Sequence, residues 1–459
     1  MAVPDEDSTP VSGGSGDDLK VTEGRKLLQI ASDNAERYRK GEARLKFQTA
    51  SGEPVKGVEV EIVQKTQDFL FGNLAFDLVW GDPPYKPELF KERFLELFNF
   101  AIFPFYWSYY EQMPGMTRWQ SLMPVLEWCR SHGIIAKGHP LVWPYTAGVP
   151  EWLYAMPAGS VESLIQARVM NIVKGFADYI HIWDVTNEAV NHISWDEATQ
   201  PGFRQKYHDV SLWRGIEVAG SFKREIPIRD AADWVEKSFR WAYAANPKAT
   251  LIVNDYNQEI EPGIRQRFYD LVQELQARGT PVSGLGLQVH PVNHWLWPQE
   301  AWETLEMYAD LNCPLHITEL HQPSWEHEIE GGWRKGIWTE EAQAEYLEQQ
   351  YRLFFGHPAV VSINYWGLSD RNIWIERGGL LDKEYRPKPV FNVLKKLIKG
   401  EWMTPPIVTC TDDDGQIAFR GFFGQYEVVV KQPGRQYLTQ RIHLSEHERS
   451  AWVFTGETS

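Results

Sequence analysis

The chain has 459 residues, enough to bury a large core, and this length favours one barrel-sized domain with a smaller module. Its formal net charge of −16 argues against nucleic acid or another polyphosphate as partner, because phosphate charge is neutralised by basic patches. No apolar run approaches the length of a membrane span, so we expect no membrane partner. The 21 Trp, 19 Tyr and 22 Phe exceed what a core needs, and flat rings suit the C–H faces of sugars.

Residues 1–20 are polar, rich in Gly, Ser and Asp, and lack the apolar segment of a signal peptide, so we predict a disordered tail. A mature form whose export signal has been removed would begin in this way, and we predict a secreted or periplasmic monomer. The three cysteines, Cys129, Cys313 and Cys410, are widely spaced and are interpreted as buried thiols. Because an odd number leaves at least one cysteine free even in an exported protein, the redox compartment stays open.

Alternating strand patterns flank the central part of the chain. After a helical segment at Val21–Lys40, residues 42–67 read as a hairpin with a turn at Ser51–Pro54, and similar short strands return at 403–455. A hairpin alone makes no stable core, so we predict that both pieces form one small β-sandwich with a barrel inserted between them. Two separate appendages are the alternative. The predicted division is a tail (1–20), a helix and hairpin (21–68), a barrel (69–402) and a C-terminal module part (403–459).

The central region repeats a strand and then a helix. Candidate strands lie at residues 69–76, 98–103, 134–143, 179–185, 250–256, 284–290, 315–320 and 360–366. Eight such units in one run predict an α/β fold of the (β/α)8 TIM-barrel type, in which catalytic groups stand at the C-terminal ends of the strands.

Two of these strands end on carboxylates. The stretch YIHIWDVTNEAVN (179–191) ends with Asn187 and Glu188, and LHITEL (315–320) carries Glu319. Glycoside cleavage needs such a pair, one acid to protonate the leaving oxygen and one carboxylate to meet the cationic sugar carbon. Either glutamate alone is more often a structural salt-bridge partner than a catalyst, so the argument depends on the two strands facing each other across the barrel.

The strand ends as a set resemble glycoside hydrolase family 10, whose members are mostly endo-β-1,4-xylanases. The matching motifs are GHPLVW (138–143), WDVTNEA (183–189), NDYN (254–257), GLGLQVH (284–290), ITEL (317–320) and WG (366–367). The resemblance implies a retaining glycoside hydrolase that acts on xylan-type plant polysaccharide and needs no metal or other cofactor. Its partner would be a polysaccharide or oligosaccharide substrate.

The resemblance also implies roles for individual residues. Glu188 would be the acid/base and Glu319 the nucleophile, while Asn187 and His139 would contact the sugar being cleaved. His290 and Gln288 would lie against the nucleophile. The remaining predicted substrate-binding residues are aromatic: Trp143, Tyr256 and Trp366. The alternatives are core packing for the two tryptophans and, for the two histidines, core positions or half of a metal site.

The strand-2 region departs from the family pattern. Family members usually carry a Glu-Asn pair and then a Lys there, but residues 100–115 read FAIFPFYWSYYEQMPG. The replacement by aromatic residues at 103–110 is interpreted either as a substrate platform or as packing under the β-module. A site without buried hydrogen-bonding side chains discriminates poorly between hydroxyl groups and favours substrates with flat, less polar faces. The sequence therefore leaves three functions open: a xylanase, the same chemistry on another β-glycan or on a β-glycoside with an apolar aglycone, and a non-catalytic carbohydrate-binding protein.

Overall fold

The computed structural model describes residues 16–80, 86–145, 148–191, 227–431, 438–446 and 450–456. These residues form a closed barrel of eight strands, together with two smaller sheets built from segments near both ends of the chain. The predicted (β/α)8 barrel with an accessory β-sandwich is confirmed. The sequence predicts a long connection at 191–230, after the fourth barrel strand, as a candidate wall or lid on the leaving-group side, and this segment lies largely outside the described residues.

The described strands and helices follow in chain order. The strands are β1 (Lys40–Thr49), β2 (Glu59–Gln64), β3 (Leu70–Leu74), β4 (Phe100–Pro104), β5 (Ile135–His139), β6 (Ile180–Asn187), β7 (Thr250–Asp255), β8 (Gly284–Leu287), β9 (His294–Trp295), β10 (Leu315–Leu320), β11 (Glu330–Gly331), β12 (Val360–Tyr365), β13 (Ile407–Cys410), β14 (Gln416–Phe422), β15 (Gly424–Lys431), β16 (Leu438–Leu444) and β17 (Ala451–Gly456). The helices are α1 (Gly16–Tyr38), α2 (Phe76–Trp80), α3 (Pro87–Leu95), α4 (Trp107–Tyr110), α5 (Trp119–Ser131), α6 (Val161–Gly175), α7 (Ile228–Ala245), α8 (Pro262–Ala277), α9 (Pro298–Ala309), α10 (Glu340–Gly356) and α11 (Pro389–Lys396). Short 3₁₀ turns at Glu151–Ala155 and Ala158–Ser160 precede α6, and a π-helical turn, Leu397–Glu401, follows α11.

The barrel strands pair in parallel in the order β3, β4, β5, β6, β7, β8, β10 and β12, and β12 pairs with β3 to close the ring. Each of the eight strands corresponds to one predicted from the sequence. The strands are short and almost wholly buried, as expected where helices cover the outside of a parallel barrel. All of their C-terminal ends therefore meet at one rim.

The accessory module is a sandwich of a three-stranded sheet (β14-β1-β17) and a four-stranded sheet (β13-β2-β15-β16). The predicted hairpin is wrong, because β1 pairs with β14 and β17 whereas β2 pairs with β13 and β15. Pro54, which has no N–H, and Gly57, at a φ of 63°, lie where the chain crosses to the other sheet. The apolar sides of β1 and β2 consequently face each other across the core, where Leu45 and Ile62 are both buried.

Two smaller predictions also need correction. Residues 16–20 belong to α1, whose first turn carries Asp17 and Asp18, where the helix dipole favours negative charge. Residues 1–15 of the predicted tail lie outside the described part. The three cysteines are unpaired but not all buried, since Cys410 is exposed on β13 of the sandwich. Among the described helices, none combines the length and apolar character that a bilayer crossing requires.

Candidate active site

All nine residues predicted for the site lie at the C-terminal rim of the barrel. His139 and Asn187 end β5 and β6, and Glu319 is the next-to-last residue of β10. The others directly follow a strand or lie within a few residues of its end: Trp143, Glu188, Tyr256, Gln288, His290 and Trp366. Because parallel strands end at the same edge, the structure brings together what the sequence spreads over more than 200 residues.

Glu188 is oriented by its backbone and by two side-chain donors. Its φ is 60°, a left-handed conformation that is uncommon for a residue with a side chain, and its N–H donates to the carbonyl of Asn254 at 2.7 Å. Trp143 Nε1 donates to Glu188 Oε2 at 2.8 Å, and Gln288 Nε2 donates to Oε1 at 3.1 Å. Both carboxyl oxygens are therefore held, and the residue is only 9% exposed.

Glu319 is held from the opposite side of the cleft. Asn254 Nδ2 donates to its Oε1 at 2.8 Å, and His290 Nε2 lies 3.2 Å from its Oε2. The pKa of Glu319 is raised to about 7, with burial as the largest cause; the Glu188 charge also raises it, and His139 acts in the opposite direction. A carboxyl group in this setting changes its charge near neutral pH, which is a property of functional sites more than of structural ones.

One amide network connects the two carboxylates. Asn254 Nδ2 donates to both Glu319 Oε1 and Asn187 Oδ1, each at 2.8 Å, and Gln288 Nε2 donates to Asn187 Oδ1 at 3.3 Å as well as to Glu188. Gln288, which we expected to lie against Glu319, forms its hydrogen bonds with Glu188 and Asn187. The network orients both carboxyl groups toward one cleft.

A buried carboxylate orients His139. Its Nδ1 lies 2.8 Å from Asp184 Oδ2 and 3.8 Å from Glu319 Oε1. The pKa of Asp184 is lowered: burial would raise it, but the Lys137 ammonium and His139 outweigh burial. An ionised Asp184 can only accept, so Nδ1 of His139 donates to it, and Nε2 is the ring nitrogen that remains for a ligand hydroxyl.

Aromatic rings surround the acid pair. Trp366 packs edge-on against His139, with ring centroids 5.1 Å apart, and Tyr106 lies 5.7 Å from Trp143 and 5.4 Å from His139. Burial raises the pKa of the Tyr106 phenol, and Glu319 and Glu188 act in the same direction, which places this phenol beside both carboxylates. The pKa of Tyr256 is raised by burial and then by Glu188. The cleft thus combines two acids with flat apolar walls.

The aromatic residues at 103–110, at the end of β4 and just after it, divide into two groups. Four of its rings, Phe103, Phe105, Trp107 and Tyr110, are core residues that are at most 4% exposed. Phe105 and Tyr110 pack on Phe176 beside α6, so packing under the β-module is not their role. The other two rings, Tyr106 and Tyr109, join Phe76 and Trp80 of α2 in a continuous aromatic wall at the cleft.

Sequence reasoning missed two residues behind Glu319. Trp374 is 41% exposed, and its ring lies 5.1 Å from that of His290 and 5.5 Å from that of His321. His321 is fully buried, and its Nδ1 lies 2.8 Å from the carbonyl of Trp366. Trp374 stands in a loop without periodicity, so no strand pattern pointed to it. His321 follows β10 directly, and its position at a strand end was the signal that could have found it.

The comparisons with known proteins agree with this geometry. The family model described as Glycosyl hydrolase family 10 matches residues 104–397. Endo-1,4-beta-xylanase B of Thermotoga neapolitana is 27% identical over 284 residues, 60% of this chain and 72% of the relative. An endo-1,4-beta-xylanase of Geobacillus stearothermophilus is 30% identical over 282 residues, 57% of this chain and 76% of the relative. The structure of xylanase 10B from Thermotoga petrophila RKU-1 in complex with xylobiose has the same fold, with a TM-score of 0.57 at 22% identity over 73% of this chain and 95% of that chain.

Proposed function

The chain belongs to glycosyl hydrolase family 10, and from that premise we propose that it cleaves β-1,4-xylosidic bonds in xylan-type polysaccharide with retention of configuration. The observation that carries the proposal is the amide network that connects Glu188 and Glu319 at the barrel rim. The relatives named above as xylanases support the choice of substrate. Secretion or a periplasmic location, and a monomeric state, remain predictions.

In the first step Glu319 attacks the anomeric carbon while Glu188 protonates the glycosidic oxygen. Asn254 and His290 contact the two oxygens of Glu319 and keep its attacking lone pair directed into the cleft. Each of two neighbouring carboxyl groups opposes the ionisation of the other, and the Glu188 charge is one of the causes that raise the pKa of Glu319. Attack requires Glu319 in its ionised form and the proton on Glu188. The products are a glycosyl ester of Glu319 and the departing alcohol.

In the second step Glu188, now ionised, takes a proton from water as the water oxygen attacks the anomeric carbon from the face that the alcohol left. The bond between this carbon and Glu319 breaks, which releases the sugar and the Glu319 carboxylate. Trp143 and Gln288 donate to the two oxygens of Glu188 and stabilise its ionised form during this step. Two inversions at one carbon give net retention. We expect the carboxyl groups of a retaining pair to stand about 5–5.5 Å apart.

The residues around the acids supply the sugar contacts in this proposal. His139 Nε2 and the Asn187 amide offer partners to ring hydroxyls, and Trp366 and Trp143 offer flat faces. Tyr256 lies on the Glu188 side, where the leaving group departs. The chemistry of these steps uses only side chains of this chain.

Release of nitrophenol from nitrophenyl β-xyloside tests turnover directly. We expect Glu319→Ala to lower kcat by about 10⁴-fold or more on every substrate, because the variant lacks the carboxylate that forms the covalent intermediate. Glu188→Ala should lower kcat/KM on xylan by about 10²–10⁴-fold but kcat/KM on the activated nitrophenyl glycoside far less, because kcat/KM reports the first step and nitrophenolate leaves without a proton.

Glu303→Ala, which removes an exposed glutamate on α9, is the matched control and should leave both activities unchanged. Equal losses on both substrates in Glu188→Ala would argue against Glu188 as the acid. A wild-type protein that binds xylo-oligosaccharides but releases no nitrophenol would instead support the carbohydrate-binding function.

The aromatic wall at Phe76, Trp80, Tyr106 and Tyr109 favours a second candidate, the same chemistry on a less polar β-glycan or on a β-glycoside with an apolar aglycone. Rings recognise C–H faces and reject few substituents, whereas hydrogen-bonding side chains discriminate strongly for hydroxyls. A panel of linear xylan, substituted xylan and aryl glycosides, with product sizes, separates the two candidates. A higher kcat/KM on linear xylan than on any other member supports the first.

A further inference from the structure

A fully buried ion pair lies beneath the candidate nucleophile. Lys137 and His139 are two residues apart on β5, so both side chains point into the barrel, and Lys137 Nζ lies 2.7 Å from Asp184 Oδ2 on β6. Both side chains of the pair are 0% exposed. A buried ion pair costs several kcal/mol of desolvation per charge, and apolar residues of similar volume often fill such a position with no loss of stability. Packing alone is therefore a poor reason for this pair.

The pair is connected to Glu319 through His139. Asp184 Oδ2 contacts both the Lys137 ammonium and His139 Nδ1, and that same Nδ1 lies 3.8 Å from Glu319 Oε1. An unpaired Asp184 would add a negative charge behind a carboxylate that must itself be negative to attack. Among the described residues, Asp184 is the one carboxylate within 4 Å of the Lys137 ammonium.

We propose that Lys137 is a positioning residue for the displacement, whose buried ammonium neutralises Asp184 so that Asp184 can hold His139 without opposing the charge on Glu319. This inference rests on the proposed role of Glu319 as nucleophile. Lys137 does not touch the substrate; it acts through Asp184 and His139.

The charged and titratable groups around Glu319 agree in sign with this role. The pKa of Glu319 is raised to about 7, with burial as the largest cause; Glu188 and Asp184 on the β6 side also raise it, and His139 and Lys137 on β5 lower it. The other titratable groups facing it are His290 after β8 and Tyr106 after β4, and His316 on β10 faces Lys137. Loss of the Lys137 charge should therefore move the ionisation of Glu319 to higher pH.

The test is the pH dependence of kcat/KM on a nitrophenyl β-xyloside with a good leaving group. On this substrate the fall of kcat/KM toward low pH, its acid limb, reports the ionisation of the nucleophile Glu319. We expect Lys137→Met to move this limb upward by about one pH unit, which is a loss of about tenfold below the limb and little loss above pH 9. Lys137→Arg retains the charge and should restore the wild-type limb. Asp184→Asn removes the opposing charge and should move the limb downward.

Lys388→Met is the matched control, because Lys388 is also a buried lysine beside an aspartate, 3.5 Å from Asp370, and its charge acts on His321 instead. It should leave the limb in place. Equal losses at every pH in Lys137→Met, with no shift of the limb, would overturn the proposal. If Lys137→Met does not fold, an unshifted or upward-shifted limb in Asp184→Asn overturns it. Absence of turnover in the wild-type protein would be a failure of the proposed function and not of this inference.

Discussion

At the scale of single residues, the two carboxylates are placed by different means. Glu319 continues an extended strand, whereas Glu188 occupies a left-handed backbone conformation with a φ of 60° just after β6. Such a conformation costs about 1–2 kcal/mol for a residue with a side chain, and here the hydrogen bond from its N–H to Asn254 offsets part of the cost. The strain turns the Glu188 carboxyl back toward the cleft, where the amide network holds it.

The raised pKa of Glu319 predicts a stability effect of its own. A carboxyl whose pKa is about 7 when folded stabilises the protein fully below its ordinary value near 4.5, and this contribution is lost as the pH rises from 4.5 to 7. The Glu319→Gln side chain has no charge that burial would desolvate, and its amide can form hydrogen bonds with both Asn254 and His290. We expect the free energy of unfolding of this variant, relative to wild type, to increase by about 1–3 kcal/mol between pH 5 and pH 8.

Urea unfolding of both proteins at the two pH values measures this difference. Glu303→Gln, on the exposed side of α9, is the control and should show no such pH dependence. A Glu319→Gln variant whose stability relative to wild type is the same at both pH values would show that the pKa of the Glu319 carboxyl is not raised in the folded protein.

The sequence predicted the residues that stand at strand ends, because an interior strand that stops on polar groups marks the rim of a site. It did not predict Lys137 or Trp374. Lys137 lies within β5, where a lysine has no obvious partner until Asp184 on the neighbouring strand is placed beside it. Trp374 reaches the site through a loop, and loop paths depend on tertiary contacts that a local pattern does not contain.

At the scale of elements, the site depends on how closely neighbouring strands approach. Asn254, the next-to-last residue of β7, contacts Asn187 on β6 and Glu319 and Thr318 on β10. Gly286 on β8 leaves the space for this amide, because a methyl group at that position would overlap Asn254 Oδ1. The glycine at this position thus allows Asn254 to reach its partners, and Asn254 in turn positions both candidate catalytic residues.

Gly286→Ala should therefore displace Asn254 and, through it, both carboxylates. We expect kcat/KM on nitrophenyl β-xyloside to fall by about 10²-fold, since a displacement of about 1 Å has this effect on aligned groups, while the protein remains folded at a cost of about 1–3 kcal/mol. Gly263→Ala on α8 meets open space and should keep full activity. Equal activity of the two variants would show that Asn254 does not position the acids.

Strand prediction succeeded in the barrel and failed in the module for one physical reason. Alternation of apolar residues shows which side of a strand is buried, but not which strand lies beside it. In a (β/α)8 barrel the chain order supplies the partner, because each helix returns the chain to the next parallel strand. In the sandwich, β1 and β2 are neighbours in sequence and still lie in different sheets, with partners from the far end of the chain.

At the scale of the whole molecule, barrel and sandwich are joined at the end of α1. Arg39 donates to the backbone carbonyls of Phe355, His357 and Val360, which lead from α10 into β12. Its guanidinium also lies over the ring of Phe69, 4.8 Å from the centroid. One side chain thus connects the first strand of the sandwich to the last strand of the barrel.

Arg39→Met should leave these three carbonyls without their donor and lower the free energy of unfolding by about 2–4 kcal/mol. Arg37→Met removes an exposed arginine two residues earlier and should change stability by less than about 0.5 kcal/mol. Calorimetry of both variants measures the effect. Equal transition temperatures for Arg39→Met and wild type would show that the junction does not depend on Arg39.

The most direct test of the account is proton NMR of the sugar first released from a xylo-oligosaccharide, recorded before mutarotation. A nucleophilic Glu319 and an acid/base Glu188 at one amide network predict that the new reducing end appears as the β anomer. Initial formation of the α anomer would contradict the double displacement and with it the roles assigned to both glutamates.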